Sequence, residues 1–216
     1  MIKAIFFDYD GVIVESVDVK TKAFGKLFEE YGKEVSEKVV SYHLANTGVS
    51  RYDKFRYIFR EILRQELSDE KFQELCERFS DLVKENVISS PYVKGAREFL
   101  ETESSKYFCY VTSATPEKEL EEIIRERKES AFFKGIYGAP TEKKVAIKKV
   151  LSKEKLLPTQ ALYIGDAMSD YAAAKSNSVK FVARVYRKDV IFKGVDCLKI
   201  KDLKALPLIL KEASRI

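Results

Sequence analysis

Apart from one long helical stretch, the chain alternates short apolar runs with amphipathic helical stretches. This alternation constrains the fold more than any other feature of the sequence. The predicted strands cover residues 2–7, 107–112, 135–137, 161–164 and 180–183, and the predicted helices among them 116–127, 143–151, 169–176 and 203–213. Repeated strand–helix units build parallel sheets with helices on both faces. The sequence therefore predicts an α/β fold with a doubly wound parallel sheet.

A long helical stretch interrupts this pattern directly after the first strand. Apolar side chains recur at helical spacing from about residue 18 to residue 87, as in Phe72, Leu75 and Phe79. A Pro- and Gly-marked link follows at 89–95. We expect a core of residues 1–15 and 91–216, with an α-helical cap of residues 16–90. Because ligands bind outside the carboxyl ends of such strands, the cap would roof the site.

Composition excludes several classes of protein. The chain has 216 residues, of which 45% are hydrophobic and 34% charged, as in globular proteins. Cys76, Cys109 and Cys197 form no CxxC pair, so we expect neither a disulfide framework nor a zinc site, and a reducing, cytoplasmic setting. The net charge is +5, but the basic residues are interspersed with acidic ones, and no nucleic-acid-binding motif occurs. The apolar runs are far shorter than the ~18 residues of a membrane span, and no signal peptide is visible.

Polar residues cluster at the predicted strand ends. They are Asp8 and Asp10 after the first strand, Thr112 and Ser113 at the second, Lys143 and Lys144 after the third, and Asp166 and Asp170 after the fourth. Each one alone is explained by a turn or a helix cap. Several carboxylates brought together repel one another unless a cation is bound, and oxygen ligands suit Mg²⁺. The combination therefore indicates a metal-assisted site.

These residues, in this order, resemble the four motifs of the haloacid dehalogenase superfamily of phosphatases and phosphotransferases. The helical insertion looks like the cap of its phosphoglycolate phosphatase and β-phosphoglucomutase branch. The resemblance covers nearly the whole chain. It implies a Rossmann-like core and a Mg²⁺-dependent phosphatase of a small phosphorylated metabolite.

The resemblance also implies roles for individual residues. Asp8 would attack phosphorus to form an aspartyl-phosphate, and Asp10 would serve as general acid and then as general base. Ser113 would hydrogen-bond the transferring group, and Lys143 would neutralise its charge. The implied metal ligands are Asp8, the main-chain carbonyl of Asp10, Asp166 and Asp170, and the implied phosphate contacts include Gly11 and Ala114.

Two of these assignments keep an alternative. Thr112 is the alternative to Ser113, which is preferred because Pro116 follows it by three residues. Lys144 is the alternative to Lys143, which is preferred because it lies nearer the strand end.

The cap carries a further clue in Gly-Val-Ser-Arg at 48–51, which is similar to a stretch of β-phosphoglucomutases. Arg51 is expected to grip a carboxylate or a second phosphate; the alternative is a solvated arginine after a Ser50 helix cap. Lys20 occupies the position of a hinge histidine in many relatives, which disfavours the runner-up function, a sugar phosphomutase. The single histidine, His43, is expected to be half-buried and not catalytic.

More distant functions fit the sequence less well. Asp10 disfavours dehalogenases and phosphonate hydrolases, which lack an acid at that position. A non-enzymatic phosphoacceptor domain of the receiver type needs only ~120 residues and no helical roof.

Overall fold

In the computed structural model, which describes residues 1–185 and 191–213, parallel strands form one sheet in the order β3-β2-β1-β4-β5-β6. The strands are β1 (Ala4–Phe7), β2 (Phe108–Pro116), β3 (Gly135–Ala139), β4 (Ala161–Gly165), β5 (Lys180–Arg184) and β6 (Leu198–Ile200). In β1, Phe7 lies opposite Val111 of β2 and Ile164 of β4. The strand order reverses at β1, so the predicted doubly wound parallel sheet is confirmed and β1 stands at its switch point.

The α-helices of the described residues are α1 (Val17–Leu27), α2 (Lys33–Ala45), α3 (Arg51–Tyr57), α4 (Asp69–Ile88), α5 (Ala96–Glu103), α6 (Glu117–Glu126), α7 (Lys143–Lys153), α8 (Met168–Ser176) and α9 (Leu206–Ala213). Helices α5 to α9 cover the two faces of the sheet. Side chains alternate between the faces of a strand, so Phe6 packs with α7 and α8, and Phe7 with α5, α6 and α9. Within the described ranges, no helix is both long enough and apolar enough to cross a bilayer.

Helices α1 to α4 all lie between β1 and β2 in the chain. They pack around a cluster of aromatic rings that includes Phe24, Phe55 and Phe79. The two ends of the insertion meet, because the Glu15 amide donates to the Pro91 carbonyl at 2.9 Å. The division into a core of 1–15 and 91–216 and a cap of 16–90 stays a prediction that agrees with this arrangement.

The structure adds elements that the sequence pattern did not predict. Helix α5 buries Ala96, Phe99 and Leu100 within eight residues, too short a repeat to stand out in the sequence. Strand β6 has three residues, of which Ile200 is buried, and its strand conformation comes from pairing with β5. Strand β2 also continues to Pro116, beyond the predicted end at residue 112.

Candidate active site

The site begins at Asp8, the residue that follows the last residue of β1. The Asp8 amide donates to the Ile164 carbonyl of β4 at 2.9 Å, and the Tyr9 amide donates to Asp8 Oδ1 at 2.8 Å. The side chain is therefore fixed at the carboxyl edge of the sheet, with 3% of the residue exposed. Lys143, at the start of α7, places Nζ 3.1 Å from Asp8 Oδ1. A carboxylate oxygen and an ammonium group thus lie side by side.

Asp170 holds Lys143 in place. Its Oδ1 accepts hydrogen bonds from Lys143 Nζ at 2.6 Å and from the Tyr163 hydroxyl at 2.9 Å, and its Oδ2 accepts from the Ala167 amide at 3.0 Å. Asp170 is fully buried, and the positive charge of Lys143 compensates the negative charge of this carboxylate. The alternative lysine, Lys144, pairs with Glu142 at the surface. The structure brings Lys143 and not Lys144 to Asp8, while its catalytic role stays a prediction.

The carboxylates of Asp8, Asp166 and Asp170 form a compact cluster. Each offers an oxygen, and these oxygens lie within 4.8 Å of one another. Burial raises the pKa of Asp8 to about 7, aided by the charges of Asp170 and Asp10 and opposed by Lys143. Burial, followed by the charges of Asp8 and Asp170, raises the pKa of Asp166 well above its ordinary value. A cation would relieve this repulsion, and the oxygen-only donor set fits Mg²⁺.

Gly11 allows the loop after β1 to approach this cluster. Its φ is +78°, and a Cβ there would lie 2.2 Å from Asp166 Oδ2, so any larger residue would displace a predicted metal ligand. Its amide donates to the Val14 carbonyl at 2.7 Å. The Gly11 amide thus has a partner within the turn, and the need for glycine here is conformational. The phosphate contact implied at Gly11 stays a prediction.

Asp10 is held by the hydroxyl of Ser16 at 2.6 Å and by Lys20 Nζ at 2.5 Å, and its Oδ2 also accepts from Thr115 Oγ1 at 3.1 Å. Burial by itself raises the pKa of Asp10, but the charge and hydrogen bond of Lys20, with the two hydroxyls, outweigh it and hold the pKa below its ordinary value. Asp10 is therefore an ionised carboxylate in this arrangement. The sequence pointed to Lys20 only as a departure from a motif, and no pattern indicated Thr115.

The end of β2 presents two hydroxyl residues to the cavity, Ser113 and Thr115. Ser113 lines the cavity with Ala114, and its Oγ lies 3.5 Å from Asp10 Oδ2. Thr112 is fully buried and forms a hydrogen bond of 2.6 Å with the Tyr163 hydroxyl. The structure thus places the preferred residue, Ser113, beside Asp10, and the role of Ser113 stays a prediction.

Arg51 closes the insertion onto the sheet-forming part of the chain. Its guanidinium donates to both Glu119 oxygens, at 2.5 and 2.9 Å, and to Ser80 Oγ at 2.7 Å. Ser50 caps α3 as expected, because its Oγ accepts from the Asp53 amide. The alternative of a solvated Arg51 is wrong, since 5% of the residue is exposed. The guanidinium already binds the Glu119 carboxylate. The proposed contact between Arg51 and a substrate anion stays a prediction.

A cavity of about 60 Å³ lies between the carboxylates and the insertion. Lys54 and His43 line it from the insertion side, and neither was predicted to belong to the site. His43 is 5% exposed, so it is more deeply buried than the expected half-buried residue. Lys54 lies one helical turn after Arg51 on α3, but no sequence pattern distinguishes a buried lysine from a solvated one.

Comparison of the chain with known proteins finds relatives among hydrolases. The family model for haloacid dehalogenase-like hydrolases matches residues 5–184. A phosphorylated carbohydrates phosphatase of Thermotoga maritima is 27% identical, over 85% of this chain and 84% of its own. A phosphoglycolate phosphatase of Pseudomonas putida is 24% identical, over 85% of this chain and 70% of its own.

Solved structures share the fold along nearly the whole chain. A predicted phosphoglycolate phosphatase from Haemophilus somnus superposes with a TM-score of 0.77 at 20% identity, covering 97% of this chain and 98% of its own. A β-phosphoglucomutase from Clostridium difficile superposes with a TM-score of 0.75 at 17% identity, covering 100% of this chain and 98% of its own. At these identities the likeness concerns the fold.

Proposed function

Since the chain belongs to the haloacid dehalogenase-like hydrolases, we propose that it is a Mg²⁺-dependent phosphatase that hydrolyses a small phosphorylated metabolite through an aspartyl-phosphate. The observation that carries this proposal is the buried Asp8 carboxylate, 3.1 Å from Lys143 and clustered with Asp166 and Asp170. The phosphatase names of the curated relatives support the substrate class. A cytoplasmic location, expected from the cysteine pattern, is part of the proposal.

In the first step, an Asp8 oxygen attacks phosphorus while the bond from phosphorus to the ester oxygen breaks. Asp10 gives a proton to the departing alkoxide. The arriving phosphoryl group brings negative charge close to Asp10, which raises the pKa of this carboxyl and favours the proton uptake that the acid role needs. Lys143 and Ser113 stabilise the charge spread over the phosphoryl oxygens.

In the second step, Asp10 takes a proton from water, and that water attacks the phosphorus of the aspartyl-phosphate. Inorganic phosphate leaves and the Asp8 carboxylate is restored. The pKa of Asp10, which Lys20 holds low, keeps the carboxylate ready to accept this proton. Asp8, Asp166, Asp170 and the carbonyl of Asp10 would hold Mg²⁺, which when bound neutralises charge on the phosphoryl oxygens.

The sugar phosphomutase, the runner-up from the sequence, has less support. Lys20 pairs with Asp10 at the position where a hinge histidine is expected. The curated relatives described above are phosphatases, and the likeness to a β-phosphoglucomutase is one of fold. A non-enzymatic phosphoacceptor domain has the least support, since the matching family model describes hydrolases.

Hydrolysis of p-nitrophenyl phosphate tests the proposal. Activity should require Mg²⁺ and disappear in excess chelator, and Asp8→Asn should abolish both turnover and acid-stable labelling by substrate phosphate. Asp81→Asn is the matched control, because Asp81 is exposed on α4. Full activity in chelator would exclude the metal-dependent mechanism, and an active Asp8→Asn variant would exclude the covalent one.

A further inference from the structure

Lys54 is a buried cation inside the cavity. The residue is 3% exposed, and its amine lies 3.0 Å from His43 Nδ1 and 5.3 Å from the centre of the Phe24 ring. Burial lowers the pKa of His43 to about 3, with help from the charge of Lys54, so the imidazole is neutral and accepts the hydrogen bond. Among residues 1–185 and 191–213, no carboxylate lies within ion-pair distance of this amine.

The other cations around the cavity are already paired. Lys143 lies between Asp8 and Asp170, Lys20 binds Asp10, and Arg51 binds Glu119. A buried ammonium without a counterion is unfavourable, because neither water nor a carboxylate compensates its charge. Burial, followed by the charges of Lys20 and Lys143, lowers the pKa of Lys54 to about 7. Among the described lysines and arginines that line the cavity, Lys54 is therefore the one that lacks a carboxylate partner.

Helix α3 places Lys54 in the wall of the cavity. Arg51 and Lys54 are three residues apart and share one helix face. The pairing of Arg51 with Glu119 fixes this face against α6, and Lys54 then lines the cavity that also contains Asp8 and Asp10. The amine consequently lies in the wall of the same cavity as these two carboxylates.

We propose that Lys54 binds a carboxylate carried by the leaving group, so that the preferred substrates are short phosphomonoesters with a carboxylate a few atoms from the phosphate. This rests on the proposed phosphatase function. A carboxylate matches the single positive charge of the ammonium, whereas a second phosphate group would carry ~1.5–2 negative charges at pH 7. His43 positions the amine, and the substrate supplies the missing counterion.

Two substrates of nearly equal size test this site: 2-phosphoglycolate, and 2-hydroxyethyl phosphate, in which a hydroxymethyl group replaces the carboxylate. The ratio of their kcat/KM values measures recognition of the carboxylate. Lys54→Met should lower this ratio about ten- to hundredfold, the effect of losing one charge-assisted hydrogen bond. Lys33→Met, at an exposed lysine of α2, should keep the wild-type ratio. An unchanged ratio in Lys54→Met, including equal losses on both substrates, would overturn the proposal.

Stability separates this role from a structural one. Replacing a buried, uncompensated charge by an apolar side chain of similar length is neutral or stabilising, so the melting temperature of Lys54→Met should not fall. A lower melting temperature with an unchanged ratio would assign Lys54 to packing and refute the anion site.

A binding measurement separates the site from the phosphatase function. In the Asp8→Asn background, calorimetric titration with 2-phosphoglycolate should give an affinity that Lys54→Met weakens by a similar factor. If Lys54→Met weakens binding of 2-phosphoglycolate but the wild-type protein hydrolyses no phosphomonoester, the proposed phosphatase function is refuted and the anion site at Lys54 is supported. Hydrolysis with affinity independent of Lys54 would refute the site alone.

Discussion

Removal of Arg51 should destabilise the fold strongly, because it leaves a buried carboxylate without its partner. The side chains of Arg51 and Glu119 are 4% and 9% exposed, and two hydrogen bonds of 2.5 and 2.9 Å join them. Losing one member of such a pair costs ~3–5 kcal/mol, since the remaining charge is neither solvated nor compensated. We expect Arg51→Met to lower the free energy of unfolding by about that amount.

Urea unfolding of Arg51→Met, Glu119→Leu and the double variant measures the coupling between the two residues. The double variant should recover most of the loss, because it removes both charges and fills the space with apolar groups. Ser80 then loses both of its charged partners, which keeps the recovery incomplete. The control is Arg97→Met: Arg97 pairs with Glu101 on the surface of α5 and should contribute less than ~1 kcal/mol.

Strict additivity would refute this reasoning. If the double variant lost as much stability as the two single variants together, the ion pair would carry no coupling energy. The large cost of Arg51→Met would then come from lost packing on Phe79, whose ring centre lies 4.6 Å from the guanidinium carbon.

Two further predictions concern Asp10 and its partner. Asp10→Asn should slow alkyl phosphates more than p-nitrophenyl phosphate, because an acidic phenol leaves without a proton; equal slowing in single-turnover phosphorylation would contradict the acid role. Lys20→Met should raise the pKa of Asp10, since burial then acts unopposed by that charge. A base is lost as pH falls through its pKa, so the acidic limb of kcat for aryl phosphate hydrolysis should move to higher pH. A limb that stays in place would show that Lys20 does not set this titration.

The pair of Arg51 and Glu119 also bears on substrate choice. A guanidinium whose two nitrogens already bind a carboxylate has less capacity for a substrate anion than the sequence suggested. The pair holds α3 against α6. Of the two α3 cations that line the cavity, Lys54 is the one without a carboxylate partner among the described residues. If the proposed role of Lys54 holds, substrate selection at this helix depends on a residue three positions beyond the recognised motif.

The sequence by itself determined the sheet and the positions of its acidic residues. Asp8 and Asp166 directly follow strands β1 and β4, and Asp10 lies in the loop after β1. Parallel strands bring their carboxyl ends to one edge of the sheet. Strand period, turn residues and motif spacing are local properties, so a single chain displays them. The juxtaposition of Asp8, Asp166 and Asp170 was predictable for that reason, although their catalytic roles still await the tests above.

Only the tertiary structure decided which charges are paired. Arg51 meets Glu119 across 68 positions of sequence, and Lys20 meets Thr115 across 95. Lys54 reads as an ordinary charged residue of a helix until packing buries it beside His43. Burial and counterions arise from contacts between distant segments, and they set the free energy of every charge in the cavity, which no local pattern encodes.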